Sequence, residues 1–210
     1  ICFGDSITLC TGNNTSTGLL NQVLAVTRLQ ETPNGAQLKV DFPEDNDWHY
    51  VVITKDSQSS LEGKIYIDGV LAATGAWQNQ SYSYTALYLG ASKFFQFGDY
   101  LDGWLDEVRV SNIVRDSAAI ANHWNNGNGL EFTADMNTLG LWHMDEDSGT
   151  TFANSVSGNG DLFPGASFVT NGKFSNAVYF DGVSGRGDCN INIPEYSVTI
   201  EYWVKLDGMQ

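Results

Sequence analysis

The segment between Trp48 and Val110 most constrains what this chain can fold into, because three strand-like pieces follow one another there. The pieces are residues 48–54, 64–69 and 103–110. The first and third alternate large apolar residues with smaller or polar ones, which is the period of a half-buried β-strand. The middle piece ends in Asp68-Gly69, a tight-turn signal that predicts a hairpin. The segment therefore predicts antiparallel β-structure.

The composition fits a β-rich globular protein. The chain has 210 residues, 42% of them hydrophobic, which is enough for one sandwich domain or two small ones. Its 22 glycines and 4 prolines fit many short strands joined by tight turns. No run of about 18 apolar residues occurs, so we expect no insertion into a membrane.

The charge balance excludes one class of partner. The formal net charge is -15, from 25 acidic and 10 basic residues. Such a surface repels the phosphates of nucleic acids and anionic lipids, so we expect no nucleic-acid binding. A secreted protein that binds calcium has this balance, and so does a protein whose acidity serves only solubility. Both interpretations stay open.

The three cysteines, Cys2, Cys10 and Cys189, are too few for a disulfide scaffold. One pair can form between Cys2 and either of the others, and the alternative is buried free thiols. The chain begins at Ile1 rather than Met and shows no signal peptide, which indicates a piece of a longer or processed polypeptide.

Residues 111–124 form the one segment with a helical pattern. Asp116 or Ser117 can cap this helix, and Ile120 and Trp124 fall on one of its faces. The glycine- and asparagine-rich sequence that follows predicts its end.

Several spaced motifs resemble laminin-G-like domains of the concanavalin A-like lectin/glucanase class. WHYVVITKD, KIYIDGVL and LDGWLDEVRVSN, in that order, resemble the second half of such a domain. LGLWHMDE, VYFDG and IEYWVK, which come later in the chain, resemble the first half. The resemblance implies an all-β, two-sheet antiparallel jelly-roll sandwich with one short helix.

The two halves stand in reverse order. Residues 1–124 resemble the C-terminal portion of a laminin-G-like jelly roll, and residues 138–210 resemble the N-terminal portion. Residues 125–137 have the character of a linker between modules. One explanation is a tandem array in which neighbouring chains complete each other by strand complementation. The other is a circular permutant that closes one sandwich by itself. Residues 125–137 look like an ordinary connection between consecutive modules, which favours the tandem array.

Two enzyme signatures fail on inspection. Phe3-Gly4-Asp5-Ser6 resembles the nucleophile block of GDSL esterases, but no histidine has an aspartate three residues before it to complete that chemistry. Glycoside hydrolysis needs two carboxylates on one face. Asp106 and Glu107 are adjacent on a strand, so we expect them to face opposite sides. The sequence therefore predicts a protein that is not an enzyme.

The resemblance implies a structural calcium ion near the FDG turn and the Asp-Glu of the last strand. It nominates four ligands: Asp106, Asp145, Asp181 and, through its carbonyl, Gly182. Asp147 and Glu107 are the reserve candidates. The alternative is that these aspartates form turns by bonding to their own backbone.

Three aromatic residues in loops, namely Trp77, Phe95 and Tyr100, are the candidates for stacking on sugar rings. The alternative, which we favour, is that aromatic residues in these loops cap the sandwich. Residues 186–188 spell Arg-Gly-Asp, a tripeptide of some adhesive proteins, although three-residue matches are common by chance. The three histidines each adjoin a tryptophan and lack metal-binding spacing, so we interpret them as packing residues.

These observations lead to one functional hypothesis and one alternative. The hypothesis is a non-catalytic structural or adhesive module, extracellular or on the cell surface, that repeats within a larger protein or fibre. Its partners are then copies of itself or neighbouring modules. The alternative is a carbohydrate-binding module of a secreted enzyme, whose partners are glycans.

Overall fold

The computed structural model of the chain describes residues 2–3, 7–10, 22–27, 37–43, 45–56, 62–76, 84–91, 100–193 and 197–207. Its strands are β1 (Cys2–Phe3), β2 (Ile7–Cys10), β3 (Gln22–Thr27), β4 (Gln37–Asp41), β5 (His49–Asp56), β6 (Glu62–Ile67), β7 (Val70–Ala76), β8 (Tyr84–Leu89), β9 (Asp102–Ser111), β10 (Thr138–Trp142), β11 (Thr151–Phe152), β12 (Gly160–Phe163), β13 (Ala166–Thr170), β14 (Asn176–Asp181), β15 (Arg186–Ile193) and β16 (Val198–Leu206). Its helix α1 spans Ser117–Trp124, and a 3₁₀ turn over Asn125–Gly127 follows. In these ranges no helix is both long and apolar enough to cross a membrane.

The strands form two antiparallel sheets. The first sheet has the order β11-β12-β15-β8-β1-β2-β3-β4, and the second has the order β13-β14-β9-β16-β5-β6-β7, with β10 also paired to β9. The predicted all-β, two-sheet antiparallel sandwich of the jelly-roll type, with one short α-helix in the described ranges, is confirmed.

Strands from the two ends of the sequence pair with each other inside one chain. Strand β16 lies between β5 and β9 and is antiparallel to both. Strands β10 and β14 also pair with β9, and β15 pairs with β8. The two portions therefore complete one sandwich here, and the arrangement of the parent protein as an array or a permutant stays a prediction.

The main core lies between the inner faces of the two sheets. It includes Leu87 and Ile191 from the first sheet and Val51, Leu105 and Val204 from the second, all at most 6% exposed. Burial of apolar area stabilises a fold by about 25 cal/mol per Å², so this layer contributes to the stability of the sandwich.

A second apolar cluster lies on the outer face of the second sheet. There Tyr50 and Trp203 pack beneath Ile120 of α1 and beneath Phe132, which is 1% exposed. We call residues 112–137 the covering segment. Residues 125–137 within it, which the sequence predicted as a linker, thus include a buried anchor on the sheet. Their use as a junction between modules stays a prediction.

The covering segment contains the predicted helix, with a different start. The Asp116 carboxylate accepts a hydrogen bond of 2.8 Å from the Ala119 N–H, which confirms the predicted N-cap. Residues up to Ser111 belong to β9 instead, so the predicted start at residue 111 is wrong. Asn125 ends the helix in a left-handed conformation.

The predicted hairpin joins β6 to β7. Asp68 (φ 54°) and Gly69 (φ 77°) both have positive φ, as a two-residue hairpin turn of the type I′ class requires. A Cβ atom on Gly69 would lie 3.0 Å from the Trp124 Cβ, so the turn packs directly against α1.

Candidate functional site

A bulge in β9 brings two carboxyl groups to the same face of the second sheet. Leu105 and Val108 both belong to the inner core, although they are three residues apart rather than two. Between them Glu107 has a φ of 51°, and the pairing with β16 shifts register at this point. Asp106 and Glu107 therefore both point outward, and the prediction that they face opposite sides is wrong.

Asp106 is fully buried beside the loop that leads into β14. Its Oδ2 accepts a hydrogen bond of 2.8 Å from the Phe174 N–H, whereas its Oδ1 has no hydrogen-bond partner among the described residues. Burial raises the pKa of Asp106 to about 8, and the nearby charges of Glu107 and Asp145 act in the same direction. A buried polar atom without a hydrogen-bond partner is uncommon in folded proteins.

Glu107 ties the covering segment and β10 to the sheet. Its Oε2 accepts a hydrogen bond of 2.7 Å from the Phe132 N–H, and its Oε1 forms an ion pair with His143 Nδ1. Burial raises the pKa of Glu107, while the hydrogen bond from His143 opposes this shift. The same hydrogen bond raises the pKa of His143.

Two of the four predicted calcium ligands lie near each other. The charge of Asp145 acts on Asp106, and the Asp145 Oδ1 accepts a hydrogen bond of 3.1 Å from the Asn176 N–H. The reserve ligand Asp147 accepts a hydrogen bond of 3.1 Å from the side-chain amide of Asn176. Phe174 and Asn176, just before and at the start of β14, thus donate hydrogen bonds to three different carboxylates.

The other two predicted ligands lie at the opposite end of β14. Asp181 pairs with Asp102, four residues from Asp106 and so about 13 Å away along the strand. The Asp181 Oδ1 accepts hydrogen bonds from three N–H groups of residues 183–185. Burial opposes its ionisation, but these bonds outweigh burial and lower the pKa of Asp181 to about 2. The adjacent Gly182 N–H donates to Leu101. In the described part of the chain, no group of three or more His, Cys, Asp or Glu converges as a metal site.

A buried ion-pair network fixes the covering segment to the centre of the sheet. Glu201, with no exposed area, binds Arg109 at 2.7 Å and Arg115 at 3.0 Å, and it accepts the Tyr50 hydroxyl hydrogen bond. Arg109 also donates to the Thr133 carbonyl. Satisfied in this way, these charges hold three elements together.

Each of the three histidines has protein partners. His123 donates from Nδ1 to the Ala119 carbonyl, and its Nε2 faces Arg109; burial, together with that guanidinium, lowers the pKa of His123. His49 binds Asp68 through Nδ1 and Asp45 through Nε2, both at 2.8 Å. His143 binds Glu107, as described above.

Several sequence candidates have other placements. Trp77, Phe95 and Ser6 lie outside the described residues, and Tyr100 is half-buried in a bridge with Ala91. The Arg-Gly-Asp tripeptide forms the start of β15, where Arg186 pairs with Asp188 at 3.0 Å. Cys189 is a buried free thiol, while the side chains of Cys2 and Cys10 lie outside the described residues.

An aromatic pair that sequence reasoning missed lies on the outer face of the second sheet, towards the start of β9. Trp104 and Tyr179 are directly paired on neighbouring strands, with ring centroids 5.1 Å apart and planes at 47°. The single proton of the Tyr179 hydroxyl is shared between Asp102 at 3.2 Å and Asp207 at 3.4 Å. Lys205 places its Nζ 5.3 Å from the Trp104 ring centroid. The alternation of residues in β9 predicts that Trp104 points outward. Its pairing with Tyr179 depends on the register between β9 and β14, which the sequence does not reveal.

Comparison with known proteins gives one match. The Laminin_G_3 family model, described as concanavalin A-like lectin/glucanases superfamily, matches residues 12–121, which are 110 of the 210 residues. No curated protein and no solved structure matches the chain. The match confirms the resemblance read from the sequence motifs, and the order of the two halves stays a prediction. The chain therefore belongs to the Laminin_G_3 family of the concanavalin A-like lectin/glucanases superfamily.

Proposed function

We propose that this chain is a non-catalytic adhesive module of an extracellular or cell-surface protein, in which it repeats as a structural unit. Its family supports a carbohydrate-binding or adhesive role in general. One observation carries the non-catalytic part of the proposal. The groups with catalytic potential on β9 and β16, Glu107 and Glu201, have no exposed area and tie the covering segment to the sheet. A carboxylate needs access to a substrate before it can act as an acid or a nucleophile.

The adhesive role can be exercised through sugars or through other copies of the module. Binding of neutral glycans is favoured by the partly exposed Trp104–Tyr179 pair, since aromatic rings with polar edges suit amphipathic ligands. Association of copies is favoured by β7, an edge of the second sheet with exposed Val70 and Leu71 and with no charged residue. Exchange of whole strands between copies stays a separate prediction, because β16 of each chain already lies between β5 and β9 of that chain; a solution measurement tests it.

A structural calcium ion is also part of the proposal. The buried Asp106 Oδ1, which lacks a hydrogen-bond partner, and the nearby Asp145 fit a hard cation, because calcium takes carboxylate oxygens. Asp181 and Gly182 do not fit the same site, because they lie at the other end of β14. When bound, the ion would supply the counter-charge of an ionised Asp106 and would link β9 to the loop that carries Asp145.

Two assays on the purified chain test the functional proposal. The first assay is a binding panel of immobilised neutral oligosaccharides, anionic oligosaccharides and copies of the chain itself, and we expect binding to at least one of them. The second assay measures hydrolysis. We expect no release of reducing sugar and no ester hydrolysis. Hydrolysis that disappears in Glu107→Gln would overturn the proposal in favour of a glycosidase, and loss in Ser6→Ala would favour an esterase. Absence of binding to every surface would overturn the adhesive role.

A further inference from the structure

We infer that the outer face of the second sheet carries a binding site for neutral pyranose saccharides, built on Trp104 and Tyr179. This inference rests on the proposed adhesive function and names its ligand class and location. We call the five residues involved the Trp104 patch: Asp102, Trp104, Tyr179, Lys205 and Asp207.

Strand register assembles the patch from three strands. Tyr179 of β14 lies directly opposite Trp104 of β9, and Lys205 of β16 lies opposite Trp104 on the other side. All three side chains are partly exposed, whereas the two aspartates at the rim are exposed. The covering segment packs over Arg109 and Trp203, further along the same strands.

The hydroxyl of Tyr179 lies between two carboxylates. Its single proton is shared between Asp102, from β9, and Asp207, from the residue after β16. Burial and these two carboxylates raise the pKa of Tyr179 to about 12, so the phenol keeps its proton at neutral pH. A ring held at its outer edge loses little conformational entropy when a ligand stacks on it.

The chemistry of the patch matches a sugar better than an ion. Pyranose rings present apolar C–H faces, which pack on indole and phenol rings, and hydroxyl groups at their edges. A hydroxyl both donates and accepts, so it can bind a carboxylate, which only accepts, and an ammonium, which only donates. Lys205 sits on a flexible stem and can move from the indole face to a sugar hydroxyl.

Charge selects among saccharides. The patch holds two carboxylates and one ammonium, and the chain as a whole carries a formal charge of -15. Uronic acid and sulfated chains are repelled by this field, and phosphate groups are repelled in the same way. The patch therefore fits neutral hexopyranose oligosaccharides.

Isothermal titration of the full chain tests the site, with cellotetraose, laminaritetraose and mannotetraose as neutral probes and a hyaluronan tetrasaccharide as the anionic probe. We expect at least one neutral probe to bind and the anionic probe not to bind. Trp104→Ala should weaken binding by about tenfold or more, as removal of a central aromatic anchor does. Tyr179→Phe keeps the ring and should weaken binding by a smaller factor, about two- to fivefold.

Further variants separate this site from other aromatic residues and from misfolding. Phe163→Ala, on the first sheet, is the matched control and should bind as the wild type does. Trp104→Phe keeps an aromatic ring beside Tyr179, and it should abolish the saccharide-induced change in tryptophan emission. Neutral-probe binding that survives Trp104→Ala and Trp104→Phe but is lost in Trp77→Ala or Tyr100→Ala would overturn the site and leave the adhesive function standing. If no saccharide binds the wild-type chain, the site is overturned together with the glycan-binding part of that function.

Discussion

Asp106 and Glu107 are consecutive residues of β9, yet both carboxyl groups lie on the outer face of the second sheet, because Glu107 adopts a φ of 51°. A non-glycine residue in this conformation costs on the order of 1 kcal/mol or more. The ties of Glu107 to Phe132 and His143 offset that cost. The bulge thereby gives one strand two separate attachments, one to the 172–176 loop and one to the covering segment.

The first prediction concerns calcium. Adding calcium chloride should raise the melting temperature of the wild-type chain and leave that of Asp106→Asn unchanged. At a calcium concentration about 100 times Kd, the stabilisation is about 2.7 kcal/mol, or about 5–10 °C for a domain of this size. Asp106→Asn should still fold, because the pKa of about 8 keeps this carboxyl protonated at neutral pH when no cation is bound. Differential scanning calorimetry measures both effects.

A matched variant controls for the choice of aspartate. Asp181→Asn removes a carboxylate that caps three N–H groups, so we expect lower stability but an unchanged calcium response. A calcium response that survives Asp106→Asn and vanishes in Asp181→Asn would place the ion at the FDG turn. Absence of any response in the wild type would remove the ion from the proposal.

Local periodicity was enough to predict much of the second sheet. The alternation in residues 48–54 and 103–110 predicted β5 and β9, and Asp68-Gly69 predicted the hairpin turn. These features depend on neighbouring residues alone. The helix cap at Asp116 was predictable for the same reason.

Features that depend on distant residues escaped prediction. Every residue of β5 from His49 to Lys55 is buried, because the covering segment hides the face that alternation assigns to solvent. The bulge left a signal in the sequence, since Leu105 and Val108 stand three apart instead of two. The Trp104–Tyr179 pair left none, since it depends on the register between β9 and β14.

The second prediction concerns the buried network around Glu201. Glu201→Ala leaves Arg109 and Arg115 buried without their shared carboxylate, so it should reduce the free energy of unfolding by about 3–5 kcal/mol. Urea denaturation followed by tryptophan fluorescence measures the change. Glu62→Ala breaks a solvent-exposed pair with Lys64 and should leave the urea midpoint close to that of the wild type. Equal midpoints for both variants would contradict a stabilising role of the network.

The third prediction is a pH dependence from His49. Burial alone lowers the pKa of His49, but hydrogen bonds to Asp68 and Asp45 outweigh burial, and the net pKa is raised above 6.5. The protonated ring is therefore favoured in the folded state. Its stabilisation is complete below pH 6.5 and is lost as the pH rises through the folded-state pKa.

The comparison with His49→Gln isolates this residue. The wild-type melting temperature should exceed that of the variant most at about pH 5.5, and the difference should shrink as the pH rises to about 8.5. The other two histidines are present in both proteins, so their titration cancels to first order. A difference that stays constant across this range would show that His49 contributes packing against Phe42 rather than charge.

The fourth prediction concerns closure of the sandwich. Strand β16 fills the gap between β5 and β9 of its own chain, and β15 pairs with β8 of the same chain. A chain that completes both sheets has no empty strand position at this centre, so we expect a monomer at micromolar concentration. Light scattering coupled to size exclusion measures the mass directly. A ladder of multiples that grows with concentration would instead support strand complementation between copies. Exchange of β16 between chains requires its hydrogen bonds to both β5 and β9 to break, so the oligomers should form slowly. They should form faster in Glu201→Ala than in the wild type, because this variant loses the ion pair between β16 and Arg109.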